Sequence, residues 1–204
     1  MSEPRVAIIG AGPSGLAAAW QLRDAPVAVT VFEKSRGVAG RAASRTRHGA
    51  RFDYGANYIK LSSPELEQLV RQQLPVDDLV QIPGNVSTFD KSGHIAPGDP
   101  AYNRQAMWTY ASGISTLGKH LAAASAADLR LVTRVTALRA DAKGWHIATE
   151  EATGGENMAF DAVLMTSPAP QCRDILASSD IAGIDLPTID TALAKARYHQ
   201  QWCF

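Results

Sequence analysis

Apolar and polar positions alternate in short, changing periods along the chain. Residues 5–9 (Arg-Val-Ala-Ile-Ile) form a brief apolar run rich in β-branched side chains, which reads as a buried strand. Residues 14–23 then place apolar side chains at helical spacing, with Ala17, Ala18 and Ala19 keeping one face slim. Residues 27–32 repeat the apolar run. Strand, glycine-rich turn, helix and strand thus follow one another within about thirty residues, the pattern of a compact parallel crossover unit.

From 34 to 51 the periodicity disappears and Gly37, Gly40 and Gly49 punctuate the chain, which predicts a long loop or a short irregular helix. Residues 63–73 open on Ser63-Pro64 and carry Leu66, Leu69 and Val70 at helical spacing. Strand-like pieces follow at 79–82, 86–89 and 94–96, parted by Pro83-Gly84 and by Asp90-Lys91-Ser92-Gly93. Those breaks predict antiparallel hairpins.

A helix is expected over 114–124 after Gly113. Three strands at 129–138, 145–149 and 157–160, with turns at Lys143-Gly144 and Gly154-Gly155, predict a β-meander. Residues 162–166 are almost wholly apolar, suited to the centre of a parallel sheet, and Pro168 opens another helix. Residues 196–204 read as a strand stopping in mid-element at Trp202, Cys203 and Phe204, so a truncated chain is expected.

Composition changes this picture little. With 46% hydrophobic and 20% charged residues over 204 positions, the chain has ordinary globular material. Twenty basic and twenty acidic side chains cancel, which removes the global argument for a nucleic-acid or anionic-membrane partner. Lys34, Arg36, Arg41, Arg45, Arg47 and Arg51 do form a basic run with no acid between them. Lacking aromatic interleaving in sequence, the run reads as a phosphate-facing or solvated loop rather than a nucleic-acid patch. The apolar stretch from Val6 to Trp20 is broken by Gly10, Gly12, Pro13, Ser14 and Gly15, unlike a secretory leader, and no run reaches the roughly 18 residues of a membrane span. A soluble, cytoplasmic protein is therefore expected.

Cys172 and Cys203 show neither CxxC spacing nor a histidine cluster, which predicts two reduced thiols and no metal site. His48, His94, His120, His146 and His199 fall in no metal or triad pattern and are expected in surface or core roles. Trp108, Trp145 and Trp202 read as packing residues, Trp108 and Tyr110 also as candidates for a cavity wall.

The chemistry concentrates at Gly10-Ala11-Gly12-Pro13-Ser14-Gly15, a GxGxxG segment that follows a predicted buried strand and opens a helix. Gly10 permits the tight turn, Gly12 lets the backbone approach a diphosphate, and Gly15 lets the helix sit close to the sheet. Pro13 fits the first helical turn, where a missing N–H costs little. The free amides and positive end of the helix favour two phosphates. Glu33 ends the second strand eighteen residues after Gly15, placed to accept from ribose hydroxyls and to disfavour a 2′-phosphate. This signature alone does not separate FAD from NAD.

The segment Phe32-Glu33-Lys34-Ser35-Arg36-Gly37-Val38-Ala39-Gly40-Arg41-Ala42-Ala43-Ser44-Arg45, followed by Phe52-Asp53-Tyr54-Gly55-Ala56-Asn57-Tyr58, resembles the renalase-type branch of the flavin-containing amine oxidase superfamily. The resemblance implies that Gly40, Arg41 and Ala42 run along the diphosphate and ribityl chain of FAD, and Lys34 is expected among the cofactor-binding residues. It implies that Gly55, Ala56, Asn57 and Tyr58 approach the isoalloxazine. Val135, in Arg134-Val135, matches a valine whose backbone meets the adenine, and Thr166 lies in a stretch (161–171) that resembles the family's strand-to-helix segment beside FAD. Ala39 departs from the usual Gly-Gly-Arg, and Asn57 stands where glutamine is frequent.

The fold implied is α/β: a Rossmann-like FAD-binding domain, with parallel sheet and β-meander, plus part of an antiparallel substrate-binding sheet. The expected partition is 1–62 and 105–180 for the FAD-binding domain, 63–104 for a substrate-domain insert, and 181–204 for the start of a second substrate segment. The activity implied is hydride transfer from a small-molecule donor to flavin, with dioxygen reoxidising the flavin to give hydrogen peroxide. In the renalase-type branch the donors are isomeric dihydronicotinamide nucleotides. A flavin amine oxidase and a non-catalytic or truncated dinucleotide-binding module are the alternatives, and no catalytic residue is singled out.

Overall fold

The computed structural model describes residues 3–150 and 159–198. In chain order it contains β1 (Arg5–Ile9), α1 (Pro13–Leu22), β2 (Ala28–Phe32), β3 (Ser44–Arg47), β4 (Ala50–Asp53), β5 (Ile59–Lys60) and α2 (Pro64–Gln68). A π-helical turn (Leu69–Gln73) extends α2 and is followed by β6 (Leu79–Ile82), β7 (Ser87–Phe89), β8 (Ile95–Pro97), α3 (Pro100–Asn103), β9 (Met107–Tyr110) and α4 (Ser115–Ala124). Last come β10 (Asp128–Arg130), β11 (Val135–Asp141), β12 (Gly144–Thr149), β13 (Ala159–Phe160), β14 (Ala162–Met165), α5 (Ala169–Ala177) and α6 (Leu186–Ala194). The turn expected at Gly154-Gly155, His199, and Trp202 to Phe204 lie outside the described residues. The strand expected from residue 196 is not formed at Ala196, Arg197 or Tyr198.

The chain divides into two compact units, Met1–Arg41 with Leu121–Phe204, and Ala42–His120. In the first, β10, β2, β1 and β14 lie side by side, all parallel. Strand β1 is central: Ala7, Ile8 and Ile9 are buried, as parallel strands covered on both faces require. Helix α1 makes the crossover from β1 to β2 and buries Gly15, Leu16 and Ala19.

The antiparallel meander β11-β12-β13 belongs to the same unit, and its Val135 and Leu138 join Ile9, Ile175 and Ile181 in one core. Arg173 of α5 grips Asp190 of α6 with two bonds, Nε to Oδ1 at 2.6 Å and Nη2 to Oδ2 at 3.1 Å. The predicted parallel sheet and meander are thus both present.

One strand prediction needs correction. Residues 129–138 are not one strand of the meander: β10 ends at Arg130, joins the parallel sheet beside β2, and β11 begins only at Val135. Long-range bonds force the break. Val132 adopts φ +55 as its N–H donates to the Ser35 carbonyl (3.0 Å), and the Thr133 N–H donates to the Glu33 carbonyl (2.8 Å).

The second unit also departs from expectation at its start. Residues 44–51, expected within a loop or irregular helix, form with Phe52 and Asp53 the β3–β4 hairpin, turning through left-handed His48 (φ 51) and Gly49 (φ 76), the geometry that two-residue hairpin loops favour. Strand β6 pairs not with its neighbour in sequence but with β9, and β9 also takes β5, giving the order β5-β9-β6. Strands β7 and β8 do form a hairpin with each other. Helix α2 is capped by Ser63, whose hydroxyl accepts from the Leu66 N–H at 3.2 Å. This unit runs over 42–120, and β3, β4, β5 and β9 pair within it. Among the described residues, no helix is long and apolar enough to cross a membrane.

Candidate functional site

Gly10 leaves β1 at φ +106 with its N–H on the Phe32 carbonyl (2.8 Å), which turns the chain sharply into α1. Gly15 has no room for a side chain: a Cβ there would collide with the Gly10 carbonyl and lie 2.8 Å from Thr166 Oγ1. Gly40 brings residues 39–41 onto the loop, and a Cβ at Gly40 would lie 3.1 Å from Gly12 Cα. Gly12 differs from all three, since a Cβ built on it meets nothing within 4 Å. Gly12 is the N-cap of α1, and Pro13 takes the first helical position. The N–H groups of Gly12, Ser14 and Gly15 have no partner among the described residues, as helix geometry dictates for a first turn.

Glu33 is only 8% exposed, and both its oxygens are engaged: Oε2 accepts from the Ala11 N–H (2.9 Å) and Oε1 from the Ser35 N–H (2.8 Å). The carboxylate therefore holds the glycine loop to the end of β2. A carboxylate has about four lone-pair directions, so two remain for other donors. Ala11 needs correction as a phosphate-facing residue, because its amide is spent on Glu33 and the residue is fully buried.

The chain next returns to the loop. The Ala39 N–H donates to the Ala11 carbonyl (2.8 Å), and Ala39, fully buried, holds φ +84, a conformation in which an L side chain is strained. Lys34 and Arg41 are exposed, and Arg41 has no partner among the described residues. Thr166 sits beneath the turn: its hydroxyl bonds the carbonyls of Ile9 (3.0 Å) and Gly10 (3.1 Å). Val135 is buried, pairing with Thr149 at the start of the meander. Gly10 to Gly15, Glu33, Gly40, Arg41, Val135 and Thr166 thus share the first unit.

Ala42, Gly55, Ala56, Asn57 and Tyr58 belong to the second unit. Gly55 to Tyr58 form the irregular stretch between β4 and β5, with Ala56 and Asn57 exposed. The Tyr58 and Tyr102 hydroxyls lie 2.6 Å apart, and that bond, with burial second, pushes the Tyr58 phenol up to about 12. Lys60 sits against the Tyr102 ring, 2.9 Å from its centroid.

A neighbouring network escapes sequence reasoning. Asp53 Oδ1 accepts from Ser44 Oγ (2.5 Å) and from the Ile114 N–H (3.1 Å), while the Ser115 N–H donates to Ser44 Oγ (3.0 Å). The β3–β4 hairpin is thereby fastened to the start of α4, with a carboxylate at the helix N-terminus where an anion is favoured. The only signal was Asp53 itself, within the motif but without a partner nearby in sequence. No cluster of three or more metal-ligating side chains occurs among the described residues.

Comparison with known proteins agrees with this geometry. A family model for NAD(P)-binding Rossmann-like domains matches residues 8–73, and one for flavin containing amine oxidoreductases matches residues 102–194. Protoporphyrinogen oxidase 2, chloroplastic/mitochondrial, of Arabidopsis thaliana is 40% identical over 83 residues, 37% of this chain and 16% of its own length. The L-amino-acid oxidase of Echis ocellatus is 39% identical over 74 residues, 36% of this chain and 14% of its own. The chain thus covers less than a fifth of these curated relatives.

Among solved structures, a CLA-producing fatty acid isomerase from P. acnes superposes with a TM-score of 0.66 at 19% identity, over 91% of this chain and 63% of that one. Putrescine oxidase superposes at 0.61 and 16% identity, over 87% and 60% respectively. At such identities the likeness is one of fold, and it bears out the expected α/β Rossmann-like architecture. The two family models match in chain order and together span most of the sequence, so this chain is similar to NAD(P)-binding Rossmann-like domains in its first part and to flavin containing amine oxidoreductases in its later part.

Proposed function

We propose that the first unit holds the ADP half of FAD and that the protein oxidises a small-molecule donor by hydride transfer. The observation carrying this reading is the contrast among the loop glycines: Gly10 and Gly15 are closed by protein and Gly40 abuts the loop, whereas Gly12 opens on free space. A Cβ-free position facing outward, beside unpaired amides at a helix N-terminus, is what close approach by a diphosphate requires.

In this reading the Gly12, Ser14 and Gly15 amides donate to the phosphates and Arg41 adds a guanidinium on the same side. The two free lone-pair directions of Glu33 accept from the ribose hydroxyls, and its charge repels a 2′-phosphate. Lys34, Gly40 and Val135 border the same nucleotide. Pro13 and Thr166 act beneath it, fixing the helix start and the turn. Ala42 and Gly55 to Tyr58 are assigned to the ribityl and isoalloxazine end by resemblance alone.

When bound, FAD supplies a two-electron acceptor that dioxygen restores with release of hydrogen peroxide. The residues named bind and orient the cofactor, and none is assigned a proton transfer. The donor class supported by resemblance is the isomeric dihydronicotinamide nucleotides, and a cytoplasmic site of action goes with it. An amine donor is the second reading, favoured by the amine oxidoreductase model over 102–194. Peroxide release by the FAD-loaded protein, measured with isomeric dihydronicotinamides and with simple amines, separates the two: turnover of the dihydronicotinamides alone is expected, and turnover of amines alone refutes the renalase-like reading.

A further inference from the structure

The second unit contains a polar seam that neither the cofactor nor the fold accounts for. Tyr110, at the end of β9, is 1% exposed, yet its hydroxyl has no hydrogen-bond partner among the described residues. Three other buried atoms of this unit share that condition: Asp78 Oδ1, Nδ1 of His120, and Oγ1 of Thr109, which as the neighbouring strand residue projects from the opposite face of β9 to Tyr110. Three elements bring Tyr110, Asp78 and His120 together. Asp78 precedes β6 and is tied to the chain just after Tyr110, its carbonyl accepting from the Ala111 N–H (2.8 Å) and its Oδ2 from the Ser112 N–H (2.9 Å). On α4, Thr116 meets the Ser112 hydroxyl at 2.6 Å. One turn later, His120 packs at right angles to the Tyr110 ring, centroids 5.2 Å apart.

Orphaned buried polar groups are rare because each costs the full loss of its hydration. The buried phenol hydroxyl and the two orphaned atoms beside it, Asp78 Oδ1 and His120 Nδ1, point to a shared partner. We propose that a single water molecule is held between Tyr110, Asp78 and His120 as a fixed part of the second unit. The donor and acceptor count closes: the water accepts from the Tyr110 hydroxyl and donates one hydrogen to Asp78 Oδ1 and one to His120 Nδ1. Three bonds are typical of a buried water. The arrangement requires a neutral His120 carrying its proton on Nε2. It also requires Tyr110 as a phenol, and burial, with the Asp78 charge second, pushes its ionisation up to about 12.

The test turns on sign. Tyr110→Phe keeps the ring and deletes the hydroxyl. An orphaned hydroxyl would be a liability whose removal raises the melting temperature, whereas a hydroxyl bonded to a trapped water is a support whose removal lowers it. The expected result is a melting temperature several degrees lower than that of the unaltered chain, and an equal or higher value overturns the proposal. Nitrogen-15 NMR of the histidine side chains gives an independent readout that needs no variant. His120 is expected as the Nε2–H tautomer at neutral pH, and the Nδ1–H tautomer refutes the site even if the variant fails to fold.

Discussion

Gly12→Ala separates the cofactor from the fold. Gly12 has φ −75 and ψ 175, extended backbone open to any L residue, and the added methyl meets no protein atom within 4 Å. Alanine at a compatible position gains about 0.4–1 kcal/mol by restricting the unfolded chain. As an N-cap it is poorer than glycine by a similar amount. The two effects offset, so the melting temperature should stay within a few degrees of the parent. The same methyl stands where a diphosphate is proposed to approach the backbone. Losing one charge-assisted bond costs about 1.5–3 kcal/mol, roughly ten- to a hundredfold in Kd. The assay pairs thermal unfolding with FAD titration followed by flavin fluorescence. Gly15→Ala is the contrast: its methyl would strike the Gly10 carbonyl, so it should lose fold and flavin together. A folded Gly12→Ala protein binding FAD as tightly as the parent would refute the placement of the diphosphate.

Three further outcomes follow from the geometry. Ala39→Gly relieves the φ of +84, and set against the extra freedom glycine gives the unfolded chain, it should stabilise by up to about 1 kcal/mol, read from denaturant midpoints. Asp53→Ala removes the acceptor for both Ser44 and the Ile114 N–H, and a loss of about 2 kcal/mol is expected, with faster amide exchange in the β3–β4 hairpin and the first turn of α4 but not in β1 or β2. Asp141 is held down to about 2 by the side chain of His146, 3.0 Å away, and then by the Lys143 N–H. A depressed carboxylate stabilises the fold above its ordinary value of 3.8 and loses that effect as pH falls through about 2. Acid titration of Asp141→Asn should therefore show a shallower loss of stability between those values.

Local chemistry was legible and long-range commitment was not. The β1–α1–β2 unit could be read because turn, helix start and buried strands all follow from neighbouring residues, and Gly10, Gly15 and Glu33 sit where that reading puts them. What Glu33 does there was not legible, since its hold on the Ala11 amide depends on the crossover bringing residues 11 and 33 together. The stretch 129–138 looked continuous because its side chains favour strand throughout. Its break comes from carbonyls of residues 33 and 35. The β3–β4 hairpin was missed because Arg45, Thr46 and Arg47 face Phe52, Arg51 and Ala50 without the apolar alternation that betrays a strand with one buried face. The Asp53–Ile114 bond spans 61 positions, beyond any local pattern.

Direct binding of adenine nucleotides to the purified chain tests the central claim without waiting for a substrate. Calorimetric titration with FAD, ADP and 2′-phospho-ADP should show the first two binding and the third far weaker, with Glu33→Gln narrowing that gap. Equal affinity for ADP and its 2′-phosphate, or no affinity for ADP by a chain shown to be folded, would contradict the account.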